Sequence, residues 1–223
     1  MKKLIPILLF ASMSLTGCAL LQNITNMIGG KGTNEEKGET YDDIEQAINY
    51  MNAYNYHMVY SITTEYSGGE EIDPGSMVIG PYNYDIALPK VYIVTPNGSE
   101  EYYNVENNNF QTVTRYYKDR EGNYVTETRD LTTESSQVKY FDQATHHVSD
   151  YVKEEDGVYK MTEQKLKEYG FEDASLRIEG NKGVSKIIIE TVVSQTYETM
   201  ITHAHLNATL TQFGEVSITL PRV

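Results

Sequence analysis

His203 and His205 stand two apart in a run of alternating residues, so both imidazoles fall on one strand face, and His146-His147 adds a second pair. Imidazoles so placed can chelate Zn²⁺ or Cu²⁺. The same strand face carries Asn207, Thr209 and Thr211, with no carboxylate or cysteine at ligand spacing, so solvated histidines are expected and no metal. Ser136-Gln137-Val138-Lys139 has the S-x-x-K spacing of serine–lysine nucleophiles. That chemistry needs a helix to bring both groups to one face, whereas this segment reads as a strand, and the partner motifs are missing. Asp119, Glu121 and Asn123 put oxygens into one turn, but without the closing glutamate of a calcium loop they describe a charged hairpin tip. The carboxylate pairs Glu70-Glu71, Glu100-Glu101 and Glu154-Glu155 are expected in solvated loops. With no G-x-S-x-G, H-E-x-x-H or phosphate-cradling glycine loop, neither an enzyme nor a cofactor is expected.

Cys18 is the only cysteine, and it closes Leu15-Thr16-Gly17-Cys18 behind a basic start (Lys2, Lys3) and an apolar run from Leu4 to Phe10. That run is too short to span a bilayer and has the layout of a secretory signal. The four residues resemble the lipobox of bacterial lipoproteins. The resemblance implies cleavage between Gly17 and Cys18 and a thiol carrying diacylglycerol, with fatty acids such as palmitate. The protein is then expected outside the cytoplasm, held by its N-terminal lipid on the outer face of the bacterial cell membrane. Residues 1–17 would be the signal peptide and 18–39 an acylated, glycine- and charge-rich tether. Residues 40–223 would form a single α+β domain.

Removing residues 1–17 takes away Lys2 and Lys3 and no acid, which moves the net charge from -14 to -16. So acidic a body repels phosphate backbones, and nucleic acid is excluded as a partner. Nineteen tyrosines against five phenylalanines and no tryptophan suit half-buried sheet surfaces, where an apolar ring ends in a wet hydroxyl.

The spacing of Ile44, Ala47, Ile48 and Met51 predicts a helix capped by Thr40 and Asp43. From residue 57 the period becomes two, predicting a strand with Met58, Tyr60, Ile62, Thr64 and Tyr66 inward. Shorter strands follow at about 77–87, 90–95, 101–105, 110–118, 123–131 and 136–141, with turns at Pro96-Asn97-Gly98 and Arg120 to Asn123. Ala144, Val148, Tyr151 and Val152 suggest a helix over 143–155, and Thr162 to Gly170 a second one. Val184 to Val193 reads as a central strand covered on both faces. Thr202, Ala204, Leu206, Ala208 and Leu210 read as one buried face of the next, and Val216, Ile218 and Leu220 as a last strand.

The order of helix into long strand (Ile44 to Tyr66), Gly157 to Thr162 leading to the Leu166 helix, and the close Phe213 to Pro221 resembles LolA-like and LppX/LprG-type lipoproteins. That resemblance implies an α+β fold: an N-terminal helix packed on a curved antiparallel sheet, an incomplete barrel, with one or two further short helices. It also implies an apolar or lipid ligand on the concave face. The inward residues there are Met58, Tyr60, Ile62, Ile187, Ile189, Leu206 and Leu210. The alternative is a surface adhesive or scaffold module presenting a tyrosine-rich sheet face to a protein or glycan.

Overall fold

The structure is a computed structural model that describes residues 40–68, 75–106, 112–130, 146–197 and 200–223. Helix α1 (Ile44–Ala53) is followed by β1 (Asn55–Gly68), β2 (Gly75–Ala87), β3 (Lys90–Val94), β4 (Glu100–Val105), β5 (Thr112–Lys118) and β6 (Tyr124–Asp130). After a 3₁₀ turn at Val148–Asp150 come β7 (Tyr151–Glu155), β8 (Val158–Met161), α2 (Glu163–Tyr169), β9 (Asp173–Glu179), β10 (Lys186–Tyr197) and β11 (Met200–Thr211). The eleven strands form one sheet in the order β6-β5-β4-β3-β2-β1-β11-β10-β9-β8-β7, antiparallel throughout. The architecture is therefore a large open antiparallel sheet with two helices, in the α+β class.

Period-two sequence gives this sheet two unlike faces. Along β1 and β11 the apolar face carries Met58, Tyr60, Ile62, Thr202, Leu206, Ala208 and Leu210, all buried. His57, Ser61, Thr63, His203, His205 and Asn207 point the other way and stay half-buried. Ala47, Ile48 and Met51 of α1 join the same buried cluster as the apolar face. Asp43 caps that helix by accepting from the Gln46 amide at 2.9 Å, and Tyr54 ends it in a left-handed conformation. Thr40 is not the cap as expected, because it is held extended in a bridge to Glu179 while the Tyr41 amide donates to the Ile178 carbonyl.

A bulge corrects the phase of β2. Tyr60 pairs with Tyr82 but Ile62 pairs with Ile79, so Gly80 and Pro81 together face the single residue Ser61. Both Ile79 and Tyr82 consequently pack against the core despite their odd separation. Gly80 has φ 120°, and a Cβ there would sit 2.9 Å from the Tyr60 carbonyl oxygen, so the position demands glycine.

Three expected elements differ. The helix over 143–155 is not formed in its described part: Tyr151–Glu155 is a strand paired with β8 around Asp156-Gly157, where Gly157 takes φ 69°. A helix would place Tyr151 and Val152 on one face, whereas Tyr151 is buried and Val152 exposed, the period-two arrangement that the Asp-Gly turn favours. Val216 to Leu220 forms no strand. Its alternation is real, with Ile218 buried, but side chains replace the ladder: Asn55 brackets the Val216 backbone at 3.0 and 3.2 Å, and Lys90 donates to the Ile218 carbonyl at 3.1 Å. Among the described side chains of β10, Ile187, Ile189, Thr191 and Val193 are buried, whereas Ile188 and Val192 are half-buried, so the strand is central but covered on one face. The strand expected at 136–141, the Ser136–Lys139 motif, Glu70-Glu71 and residues 1–39 lie outside the described residues. Among the described residues no helix is long and apolar enough to cross a membrane.

Candidate functional site: the two faces of the sheet

The seven residues singled out for ligand contact fall in adjoining rows across three strands. One row runs Ile187, Leu210, Met58; the next Ile189, Ala208, Tyr60; the third Thr191, Leu206, Ile62. Antiparallel pairing sets such partners side by side on one face. The first row continues through Tyr84 on β2 to Ile93 on β3, and on the other side to Ile178 on β9, giving six apolar side chains in line. The alternation of Tyr84, Ile86, Val91 and Ile93 is the sequence signal that extends the face beyond β1, β10 and β11. All seven chosen residues are buried, Ile187 and Leu206 completely.

Beyond Ile93 the same row turns polar, with Glu101 on β4 and Tyr117 on β5. Arg115, one pair along, donates to both Glu101 oxygens at 2.5 and 3.1 Å, lies 3.5 Å from Glu127, and stacks 4.5 Å over the Tyr117 ring. Glu100 and Glu101, expected in a loop, thus begin a strand and are both paired. Adjacent residues on a strand serve opposite faces, and here each carboxylate meets its own cation.

On the polar face Glu100 is the hub of an aromatic group. It accepts from the Lys118 ammonium at 2.8 Å, from the Tyr92 hydroxyl at 3.1 Å and from the Tyr124 hydroxyl at 3.4 Å. Tyr92 and Tyr102 lie with centroids 4.6 Å apart, and Tyr124 meets Tyr102 edge-on at 5.9 Å. The Lys118 and Tyr92 hydrogen bonds hold the Glu100 carboxyl below its ordinary range, and burial with the Glu100 bond pushes the Tyr92 hydroxyl up to about 12.

His203 and His205 sit on the polar face as expected. The Ser194 hydroxyl donates to Glu172, and His203 Nδ1 lies 2.6 Å from Ser194 Oγ and 3.3 Å from Glu172. One ring nitrogen serves both partners, so the group lacks the relay of a nucleophilic triad, in which each nitrogen has its own task. No three acidic, histidine or cysteine side chains among the described residues are placed to hold a metal. His146 differs from expectation by being buried rather than solvated. Asn52 of α1 clamps its backbone, donating to the His146 carbonyl and accepting from its amide at 2.9 Å each. Burial pushes the imidazole down to about 4 against the opposing pull of Asp150. Asp119 accepts from the Glu121 and Asn123 amides, which makes the expected charged hairpin tip a self-contained turn. Gly17 and Cys18 lie outside the described residues.

No protein-family model and no curated protein matches the chain at a significant level. Among solved structures, the ywiB protein from Bacillus subtilis is similar over 70% of this chain and 94% of its own, at 8% identity and a TM-score of 0.20. A likeness that slight carries no argument.

Proposed function

We propose that this chain is an exported, non-enzymatic lipoprotein, anchored through Cys18 to the outer face of a bacterial membrane, whose sheet holds an apolar ligand in the manner of LolA-like proteins. The carrying observation is the continuous apolar face. Inward side chains are buried from Leu176 on β9 to Val113 on β5, eight strands, or about 34 Å at ~4.8 Å per strand. Helices of ten and seven residues are only about 15 and 10 Å long and cannot cover that width. On this reading the sheet curves into an incomplete barrel and buries its own face.

Ligand enters where cover is cheapest to lift. Helix α1 is tied down by Gln46 accepting from the Val184 amide, by the Asn52 clamp and by Tyr50 stacked on Phe213. Helix α2 has no fully buried residue, so it yields first. Acyl chains would be held by surface burial. The test is displacement of a fluorescent fatty acid from delipidated protein. Saturable uptake supports the carrier, and a folded sample that takes up none ends this reading.

A further inference from the structure

Among the described residues, the tyrosines of the polar face are confined to one wing. On β3 to β6 this face carries Tyr92, Tyr102, Tyr116 and Tyr124, whereas across β1 and β11 it carries mainly threonine, serine, asparagine and histidine, with Val59, Glu65 and Ile201 and no tyrosine. Tyr92, Tyr102 and Tyr116 lie in one cross-strand row, and Lys118 and Tyr124 in the next with Glu100 diagonal to Tyr92. Four strands wide, the block is about 14 Å from first strand axis to last. Its rings are half-buried and offer flat apolar surface, while its centre is a charged pair, Glu100 with Lys118. The remaining side chains on this face of β3 to β6 are short and polar, apart from Lys90 at one edge and Val94, the one aliphatic side chain among the described residues there.

We propose that this wing is a binding platform for a neutral oligosaccharide, separate from the apolar face and independent of the carrier reading. A pyranose offers an apolar C–H face rimmed by hydroxyls. Tyr92, Tyr102 and Tyr116 match the first, and the Glu100 carboxylate and Lys118 ammonium, as acceptor and donor, match the second. A protein partner fits worse. Specific protein interfaces bury about 800 Å² per side around an apolar, charge-depleted centre, and here the centre is an ion pair. Anionic glycans fit worse still, since the central carboxylate and the net charge of -14 repel them.

The test uses the full chain in a sugar-free zwitterionic detergent, titrated by calorimetry and saturation-transfer NMR with maltohexaose, cellohexaose, fully N-acetylated chitohexaose and a heparin hexasaccharide. Saturable binding of a neutral hexasaccharide is expected, weakened tenfold or more by Tyr102→Ala and several-fold by Lys118→Gln, and unchanged by Thr209→Ala on the threonine-rich centre. Lys118→Gln alters an exposed side chain and decides the matter if Tyr102→Ala does not fold. Heparin binding equal to or tighter than the neutral probes overturns the proposal. So does binding of none of them, or wild-type affinity in folded Tyr102→Ala or Lys118→Gln protein.

Discussion

Leu206→Asp tests the face assignment on which the apolar surface rests. Leu206 is completely buried, between Ile62 of β1 and Thr191 of β10. A carboxyl placed there must be neutral at pH 7. Its ordinary pKa is about 3.9, so taking up the proton costs about 1.36 kcal/mol for each of roughly three pH units, or about 4 kcal/mol. Losing the leucine's burial adds about 2 kcal/mol. The total of about 6 kcal/mol is comparable with the whole stability of an ordinary domain, about 5–15 kcal/mol. Because the introduced group binds its proton more tightly folded than unfolded, the variant gains stability as pH falls, about 2.7 kcal/mol between pH 7 and 5. His205→Asp, one residue away on the polar face, should change stability by less than about 0.5 kcal/mol. Urea unfolding followed by circular dichroism at both pH values measures all of this. Equal losses in the two variants, or a Leu206→Asp loss that ignores pH, would refute the reasoning.

Three further outcomes are expected. Cys18→Ser should leave an unprocessed precursor or a released soluble form in membrane fractionation; a processed variant still on the membrane, with no acyl mass on wild type, removes the anchor. Gly80→Ala should lose about 1–3 kcal/mol in thermal unfolding, since φ 120° strains alanine and its Cβ meets the Tyr60 carbonyl. Wild-type stability should fall as pH drops from 6.5 toward about 4, because the unfolded His146 takes a proton that the buried ring, faced by Asp150, His147 and Lys165, refuses. His146→Gln should flatten that slope, and an unchanged slope assigns it to other groups.

Period-two alternation made β1 and β11 legible almost residue by residue, and the ends of α2 followed from Thr162 and Gly170, which cap it as expected. Other features depend on partners distant in sequence. Nothing local tells Val216 to Leu220 from a strand, since Asn55 and Lys90 are what bind it. Strands β8 and β9 do carry a local signal, the apolar alternation of Tyr159, Met161, Ala174, Leu176 and Ile178. The Glu100 and Arg115 clusters needed register, because only pairing sets β5 between β4 and β6. The parity change at Gly80 was likewise hidden, for a bulge is defined by the opposite strand.

The seam between β1 and β11 has a temporal consequence. Strands β1 to β6 pair in sequence order, as do β7 to β11, so each half can form from nearby contacts as it emerges. The join is different: His57 meets Thr211, and Met58 meets Leu210, across some hundred and fifty residues of chain. A growing polypeptide therefore keeps one flank of β1, at the middle of the finished sheet, without its mate until the last strand arrives. Every intermediate before that moment carries an open hydrogen-bonding edge. The sheet stays in two halves for as long as the last two dozen residues are withheld, and it closes in one late step when they are released.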